Sequence, residues 1–107
     1  MGVIVLACYH PHPGQGEELR KLVKNHFPLL RRRQLVTDRQ PVVMEAGDGT
    51  VLEVFEWKSE EAVRAAHKDP EVGRLWEEFD KVCESIPVDQ VEGAGKVFAH
   101  FTPLATD

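Results

Sequence analysis

"VLEVFEWKSEEAVRAAHKDP", residues Val51 to Pro70, joins a strand-like half to a helix-like half. The first seven residues, which end at Trp57, are rich in β-branched and aromatic side chains and predict a strand. Ser59 suits a helix N-cap, and the two glutamates after it suit the positive start of a helix. Asp69-Pro70 is a second helix-start signal, since proline is accepted at the first helical position. The stretch therefore predicts a strand followed by a helical segment that is broken at Asp69.

The residues on either side extend this pattern into a hairpin and an opening strand. Gly47-Asp48-Gly49 is a turn signal, which makes Pro41–Ala46 and Thr50–Trp57 the two strands of a hairpin. Val3–Tyr9 is short, β-branched and apolar at both parities, as expected of a strand that is buried on two faces. His10-Pro11-His12-Pro13-Gly14 is expected to end it.

Two segments have the apolar spacing of amphipathic helices. Glu17–Phe27 carries apolar residues and His26 at spacings of three and four, and Pro28 should bend or end this helix. After Pro70 the apolar spacing continues from Val72 to Ile86 and is the strongest periodic pattern in the chain. Lys96–Thr102 predicts a final strand, which we expect beside the first one.

The element order β-α-β-β-α-β predicts one α+β domain over residues 1–107 with a ferredoxin-like, four-stranded antiparallel sheet. The helices would cover one face of the sheet. The other face would still be apolar, because the first, third and last strands carry apolar residues at both parities. An exposed face of that kind favours a second copy packed sheet against sheet, so we predict a homodimer.

Composition limits the classes of function. The 107 residues are 42% hydrophobic and 29% charged, with a net charge of −5, which argues against a general nucleic-acid binder. No apolar run approaches the ~20 residues of a membrane span. We therefore expect a cytoplasmic protein with no nucleic-acid or membrane partner. The two cysteines, Cys8 and Cys83, form no metal motif and are expected to be buried thiols.

The chain resembles the antibiotic biosynthesis monooxygenase family and, more broadly, the dimeric α/β-barrel superfamily. The residues that carry the resemblance are the apolar opening strand, Pro13-Gly14, the hairpin that ends in Glu56-Trp57-Lys58-Ser59, Glu61-Ala62 and Ala66-His67. The likeness extends from about Val3 to Phe101 and implies a dimeric α/β barrel. It also implies a ligand pocket between the sheet and the helices of each subunit, and in some members oxidation of aromatic substrates without a cofactor.

Compared residue by residue, the chain matches the family's site residues only in part. Trp57 matches the pocket tryptophan at the end of the third strand, whereas Glu53 stands where the monooxygenases carry asparagine. The asparagine, tryptophan and histidine ligand of the haem degraders would fall at Ala7, Ala66 and Trp76, so haem breakdown by that route is not expected.

The candidate site residues follow from the chemistry of their side chains. His67 and Glu53 are the candidate acid–base groups, because imidazole titrates near neutral pH and a carboxylate in an apolar pocket can act as a base. The alternatives are a half-buried histidine bonded to the backbone and a surface or dimer-interface glutamate. The candidate ligand-binding walls, which could equally be core residues, are Trp57, Trp76, Phe79 and Tyr9.

Three other features carry little functional signal. His10, His12 and His100 could meet only if the first and last strands are neighbours, and they match no metal motif, so no metal or cofactor is predicted. Arg31-Arg32-Arg33 with Arg39 is either a solvated helix end or an anion contact. Gly14-Gln15-Gly16 lacks the third glycine of a nucleotide fingerprint and is interpreted as a turn.

Two functions remain open from the sequence. The first is a monooxygenase-like protein that binds a small hydrophobic or aromatic molecule and oxidises it without a cofactor. The second is a non-catalytic dimeric module that binds a small molecule or has an accessory role.

Overall fold

The computed structural model describes residues 2–105, in which five strands form one antiparallel sheet with three α-helices packed on one face. The strands lie side by side in the order β4-β1-β3-β2-β5. They are β1 (Val3–Pro11), β2 (Val42–Glu45), β3 (Val51–Trp57), β4 (Cys83–Ile86) and β5 (Thr102–Pro103). The helices are α1 (Gly16–Arg32), α2 (Glu60–Lys68) and α3 (Pro70–Val82), and a 3₁₀ turn follows β4 at Val88–Gln90. The predicted α+β class is confirmed.

The hairpin forms where the sequence predicts it. β2 and β3 pair antiparallel, with Val43 opposite Glu53 and Met44 opposite Leu52. Gly49 adopts a φ of 92°, a conformation that glycine accepts without steric cost, and its N–H donates to the carbonyl of Ala46 over 3.0 Å.

Both predicted helix starts after β3 are also confirmed. The Ser59 hydroxyl accepts a hydrogen bond from the Ala62 N–H, and the Asp69 carboxylate accepts from the N–H groups of Glu71 and Val72. These caps satisfy backbone donors that have no partner within the helix. α1, in contrast, continues through Pro28 to Arg32 instead of ending at the proline.

The helix-covered face of the sheet holds most of the core. Side chains at one parity of β3, from Val51 to Trp57, pack with residues of all three helices, among them Leu19, Leu30 and Val72. Glu53 has the same parity and therefore points into this core, where its exposure is 0%.

The prediction of four strands with Lys96–Thr102 as the last one is wrong. The strand beside β1 is Cys83–Ile86, which the apolar spacing had assigned to the helix. α3 ends at Val82, and Cys83 is extended, with φ −153° and ψ 171°. Cys83 and Ile86 repeat at helical spacing, yet Pro11 pairs with Cys83 and Cys8 with Ile86 in the sheet.

The end of the described chain lies at the opposite edge of the sheet. β5 pairs with β2, and the N–H of Leu104 donates to the carbonyl of Val43 over 2.9 Å. The expectation that the first and last strands are neighbours is therefore wrong, because β1 lies between β3 and β4.

The sheet face away from the helices is only partly covered. The segment 88–101 packs over one end of it, where Val91 is buried with Cys8, Ala46 and Leu52. The other end carries an apolar strip, defined here as Ile4, Leu6, Val42 and Val54, whose first three members are 58%, 43% and 54% exposed.

Both thiols are free and buried, as predicted. Burial raises the pKa of Cys8 and, as the larger of two causes, raises the pKa of Cys83 to about 11. Neither thiol is therefore expected to react readily as a thiolate near neutral pH.

Within residues 2–105, none of the helices combines the length and the apolar composition that a bilayer crossing requires.

Candidate functional site

A cavity of about 480 Å³ opens between the sheet and the helices. Five of the side chains around it are aromatic: Tyr9, Phe55, Trp57, Trp76 and Phe79. The polar side chains around it are His26, His67, Asp80 and Ser85. A mostly apolar cavity with a few polar groups is the usual composition of a site for a small organic molecule.

The structure brings together most of the residues predicted from the sequence. All four candidate wall residues, Tyr9, Trp57, Trp76 and Phe79, line this one cavity, and His67 lines it as well. Glu53 does not reach its surface. It lies behind Tyr9 and His26, both of which contact its carboxylate.

Both tryptophans line the cavity and also pack against the core. Trp57 is 6% exposed and packs edge-to-face on Phe55, with ring centroids 5.2 Å apart. Trp76 is partly buried at the edge of two core clusters and contacts the ring of His67, with centroids 4.9 Å apart. Each ring therefore supports the core on one side and forms the cavity wall on another.

Glu53 is the centre of a buried hydrogen-bond network. The Tyr9 hydroxyl donates to Oε1 of Glu53 over 2.7 Å. Nδ1 of His26 lies 2.9 Å from Oε1 and 3.1 Å from Oε2 of the same carboxylate. A buried carboxylate needs such donors, because removal from water without them costs several kcal/mol.

The network also determines which nitrogen of His26 carries the proton. Nε1–H of Trp76 donates to Nε2 of His26 over 2.9 Å, and an indole nitrogen can only donate. Nε2 must therefore be the acceptor, so the proton is on Nδ1 and is donated to Glu53. In this arrangement His26 is a neutral imidazole, held in one tautomer between Trp76 and Glu53.

Tyr9 is locked in its protonated form. Burial is the largest cause that raises its pKa, and the charge and the hydrogen bond of Glu53 raise it further. Its ring packs on Phe79 with centroids 4.9 Å apart, so the hydroxyl is held by both packing and hydrogen bonding.

His67 differs from His26 because it is exposed at the cavity mouth. Its Nδ1–H donates to the carbonyl of Val63 over 2.9 Å, one turn earlier in α2. That bond leaves Nε2 as the acceptor of the ring, and no other described residue bonds to it. His67 can therefore accept a proton from a bound molecule directly, whereas Glu53 can act only through His26 or Tyr9.

Sequence reasoning missed His26. Its spacing with Leu19, Leu22, Val23 and Phe27 placed it on the apolar face of α1, where it was interpreted only as part of the helix pattern. The sequence feature that could have revealed it is that two polar residues stand at core positions. His26 lies on the apolar face of α1, and Glu53 lies at the buried parity of β3. A buried carboxylate needs a donor, and His26 was the available one.

The three histidines considered for a metal do not converge. His10 Nδ1 lies 2.9 Å from the Thr50 hydroxyl and 3.6 Å from Asp48, while His100 precedes β5 at the other edge of the sheet. Between residues 2 and 105 no group of three or more His, Cys, Asp or Glu side chains could hold a metal ion.

The arginine cluster forms ion pairs within the protein. Arg33 Nε lies 2.7 Å from the Asp69 carboxylate and Arg39 Nε 3.0 Å from Glu56. Arg31 and Arg32 lie 3.7 Å and 3.4 Å from acidic side chains. This arrangement favours the solvated helix end over a site for an external anion.

Fold and site together define an α+β protein with a small-molecule-sized cavity beside a buried carboxylate–imidazole network. Comparison of the chain with protein-family models, with curated proteins and with solved structures gave no match.

Proposed function

We propose that the protein binds a small, planar, mostly apolar molecule in the cavity and removes a proton from it, as a monooxygenase-like enzyme without a cofactor. The observation that carries the proposal is that an aromatic cavity of about 480 Å³ lies next to the Glu53 carboxylate, which has 0% exposure. A buried charge is costly to maintain, and such groups cluster at functional sites.

The residues have different roles in this proposal. His67 is the group that touches the ligand, with Nε2 as the proton acceptor. Glu53 is a positioning residue, which fixes the orientation of His26 and Tyr9 through bonds of 2.9 Å and 2.7 Å. The aromatic walls hold the ligand flat and exclude water, which strengthens the electrostatic interactions inside.

Oxidation by dioxygen is the reaction that the resemblance to the antibiotic biosynthesis monooxygenases favours. A deprotonated CH₂ group of an anthrone-type substrate reacts with O₂; one oxygen atom becomes the C=O group and the other leaves as water. The substrate supplies all the electrons, so the balance CH₂ + O₂ → C=O + H₂O needs no external reductant.

The test uses the two tryptophans of the chain, both of which line the cavity. We expect an anthrone-type or hydroquinone substrate to quench their fluorescence and to be turned over with consumption of oxygen. His67→Ala should lower kcat by about 10²-fold or more, within the usual range for a general base, and retain the quenching. The control is His12→Ala, an exposed histidine outside the cavity. Absence of quenching, or unchanged turnover in His67→Ala, would contradict the proposal.

The second candidate function is binding without catalysis. The observation that favours it is that Tyr9, Glu53, His26 and Trp76 satisfy one another, and no buried polar side-chain atom of residues 2–105 lacks a partner. A network that is complete without a ligand has no inherent need for one. Quenching by aromatic ligands with no oxygen consumption would favour this function.

The same proposal includes a ferredoxin-like fold assembled as a homodimeric α/β barrel. The order β4-β1-β3-β2 of the first four strands, with the helices on one face, supports the fold. The exposed apolar strip supports a second copy packed sheet against sheet, because exposed patches of this kind mark interaction surfaces.

A further inference from the structure

Within residues 2–105, the buried carboxylate of Glu53 forms no ion pair with a lysine or an arginine. Its carboxylate contacts a tyrosine hydroxyl and an imidazole, and the bond from Trp76 keeps that imidazole neutral. Among residues 2–105 no lysine or arginine lies within ion-pair distance of it. Every other ion pair of β3 and the helices joins a carboxylate to a full positive charge, for example Arg39 to Glu56.

The cavity beside it is lined by acidic, aromatic and apolar side chains and by two histidines. No lysine or arginine is among the residues that line it, whereas Asp80 places a second carboxylate there. The side chain of Asp80 makes no hydrogen bond or ion pair with any residue in the described range 2–105, so its charge remains available at the cavity surface. Burial of Glu53 away from water increases the effect of its charge on a bound molecule, whereas Asp80 is exposed and acts by its position at the cavity surface.

Besides the carboxylates of Glu53 and Asp80, the aromatic walls also attract a positively charged ligand. Tyr9, Phe55, Trp57, Trp76 and Phe79 all line the cavity, and the faces of aromatic rings attract positive charge. Tryptophan is the strongest of the three ring types in this respect, and both tryptophans of the chain are in the wall. Several aromatic rings with nearby carboxylates are the chemistry that recognises organic ammonium ions.

We infer that the preferred ligand is a small organic cation, an ammonium group on an apolar body, held against the aromatic walls and beside the carboxylate of Asp80, with the buried carboxylate of Glu53 behind Tyr9 and His26. The inference rests on the proposed binding cavity and is independent of whether the bound molecule is oxidised. A ligand of this class supplies a positive charge to a cavity that no lysine or arginine lines. The same two charges disfavour carboxylate and sulfonate ligands.

The experiment compares three probes of similar shape and different charge by tryptophan fluorescence: trimethylphenylammonium, tert-butylbenzene and benzenesulfonate. We expect the cation to bind about tenfold more tightly than the neutral probe, and the sulfonate to bind most weakly. Asp80→Asn should weaken binding of the cation severalfold and leave the neutral probe unchanged. Asp89→Asn, in the exposed 3₁₀ turn outside the cavity, is the matched control.

Failure of the inference is distinguishable from failure of the proposed function. Equal affinity for the cation and the neutral probe, or tight binding of the sulfonate, would overturn the inference and retain the cavity as a binding site. An unchanged cation preference in Asp80→Asn and in a folded Glu53→Gln variant would also overturn it. Absence of binding by all three probes would overturn both.

Discussion

Tyr9 donates its hydroxyl hydrogen to a carboxylate with no exposed surface, and this arrangement can be measured directly because the chain contains one tyrosine. Burial first, and then the charge and hydrogen bond of Glu53, raise the pKa of Tyr9 above its usual value near 10. We predict that absorbance at 295 nm shows no tyrosinate in the folded protein as the pH passes 10. In denaturant the same residue should ionise with a midpoint near pH 10.

The raised pKa of Tyr9 makes the stability of the fold depend on pH in a definite direction. The folded chain retains the Tyr9 proton where the unfolded chain releases it, so the stability that this group contributes is complete below pH ~10 and decreases above it. Thermal unfolding measured between pH 8 and pH 11 should show this loss, and Tyr9→Phe should show less of it. A tyrosinate midpoint near pH 10 in the folded protein would contradict the network.

Single residues also show what the sequence could reveal of the site. Parity placed Glu53 on the same buried face as Trp57, which agrees with the structure. Tyr9 is buried as expected, but the prediction that β1 is buried on two faces is wrong, because Ile4 and Leu6 are 58% and 43% exposed on the face away from the helices. The partner of Glu53 was not found, because contact between α1 and β3 depends on how the helix is rotated against the sheet. Local periodicity gives the apolar face of a helix, and it does not give the residue opposite a particular side chain.

At the scale of elements, local signals were sufficient where a capping or turn residue fixed the boundary. Ser59, Asp69 and the Gly47-Asp48-Gly49 turn all lie where their chemistry predicts. β4 was missed because Cys83 and Ile86 continue the helical spacing of α3, although Cys83 is already extended. What ends α3 is pairing with β1, a contact between distant parts of the chain that no local pattern records.

The junction between α2 and α3 supports a prediction at this scale. Asp69 caps α3 and also contacts Arg33 at the end of α1, so it connects two helices. Its hydrogen bond with Arg33 is the largest cause that lowers its pKa. We predict that Asp69→Asn, which can still cap the helix, lowers the melting temperature at neutral pH because the ion pair with Arg33 is lost.

The dependence on pH follows from the lowered pKa. Near pH ~4 the Asp69 carboxylate begins to protonate in the unfolded chain but stays ionised in the folded state. Its contribution to the free energy of unfolding is therefore present above that pH, and it is lost as the pH falls through the folded pKa. The difference in melting temperature between wild type and Asp69→Asn should therefore narrow at low pH. Asp38→Asn is the control, since Asp38 also faces an arginine but its side chain is 99% exposed. An equal effect of both variants at neutral pH would contradict the structural role of Asp69.

At the scale of the whole molecule, the two faces of the sheet differ in how they are covered. Three helices cover one face, while the segment 88–101 covers only the end of the other that contains Cys8 and Leu52. The apolar strip therefore stays exposed, and the same segment presents Val97 and Phe98 at 91% and 87% exposure. The sequence predicted an apolar face, and it could not show that the chain itself covers one end of it.

These exposed groups lead to a prediction about assembly. Packing two copies about a two-fold axis with the apolar strip and Phe98 in the interface would remove both from water. We predict that the protein is a dimer at micromolar concentration by light scattering coupled to size exclusion. Leu6→Lys, which puts a charge in the strip, and Phe98→Ser should each shift it toward monomer, with unchanged circular dichroism. Glu77→Lys, which introduces the same charge on the exposed surface of α3, should remain dimeric. A monomeric wild type, or a dimer that both variants leave intact, would show that the strip is not the interface.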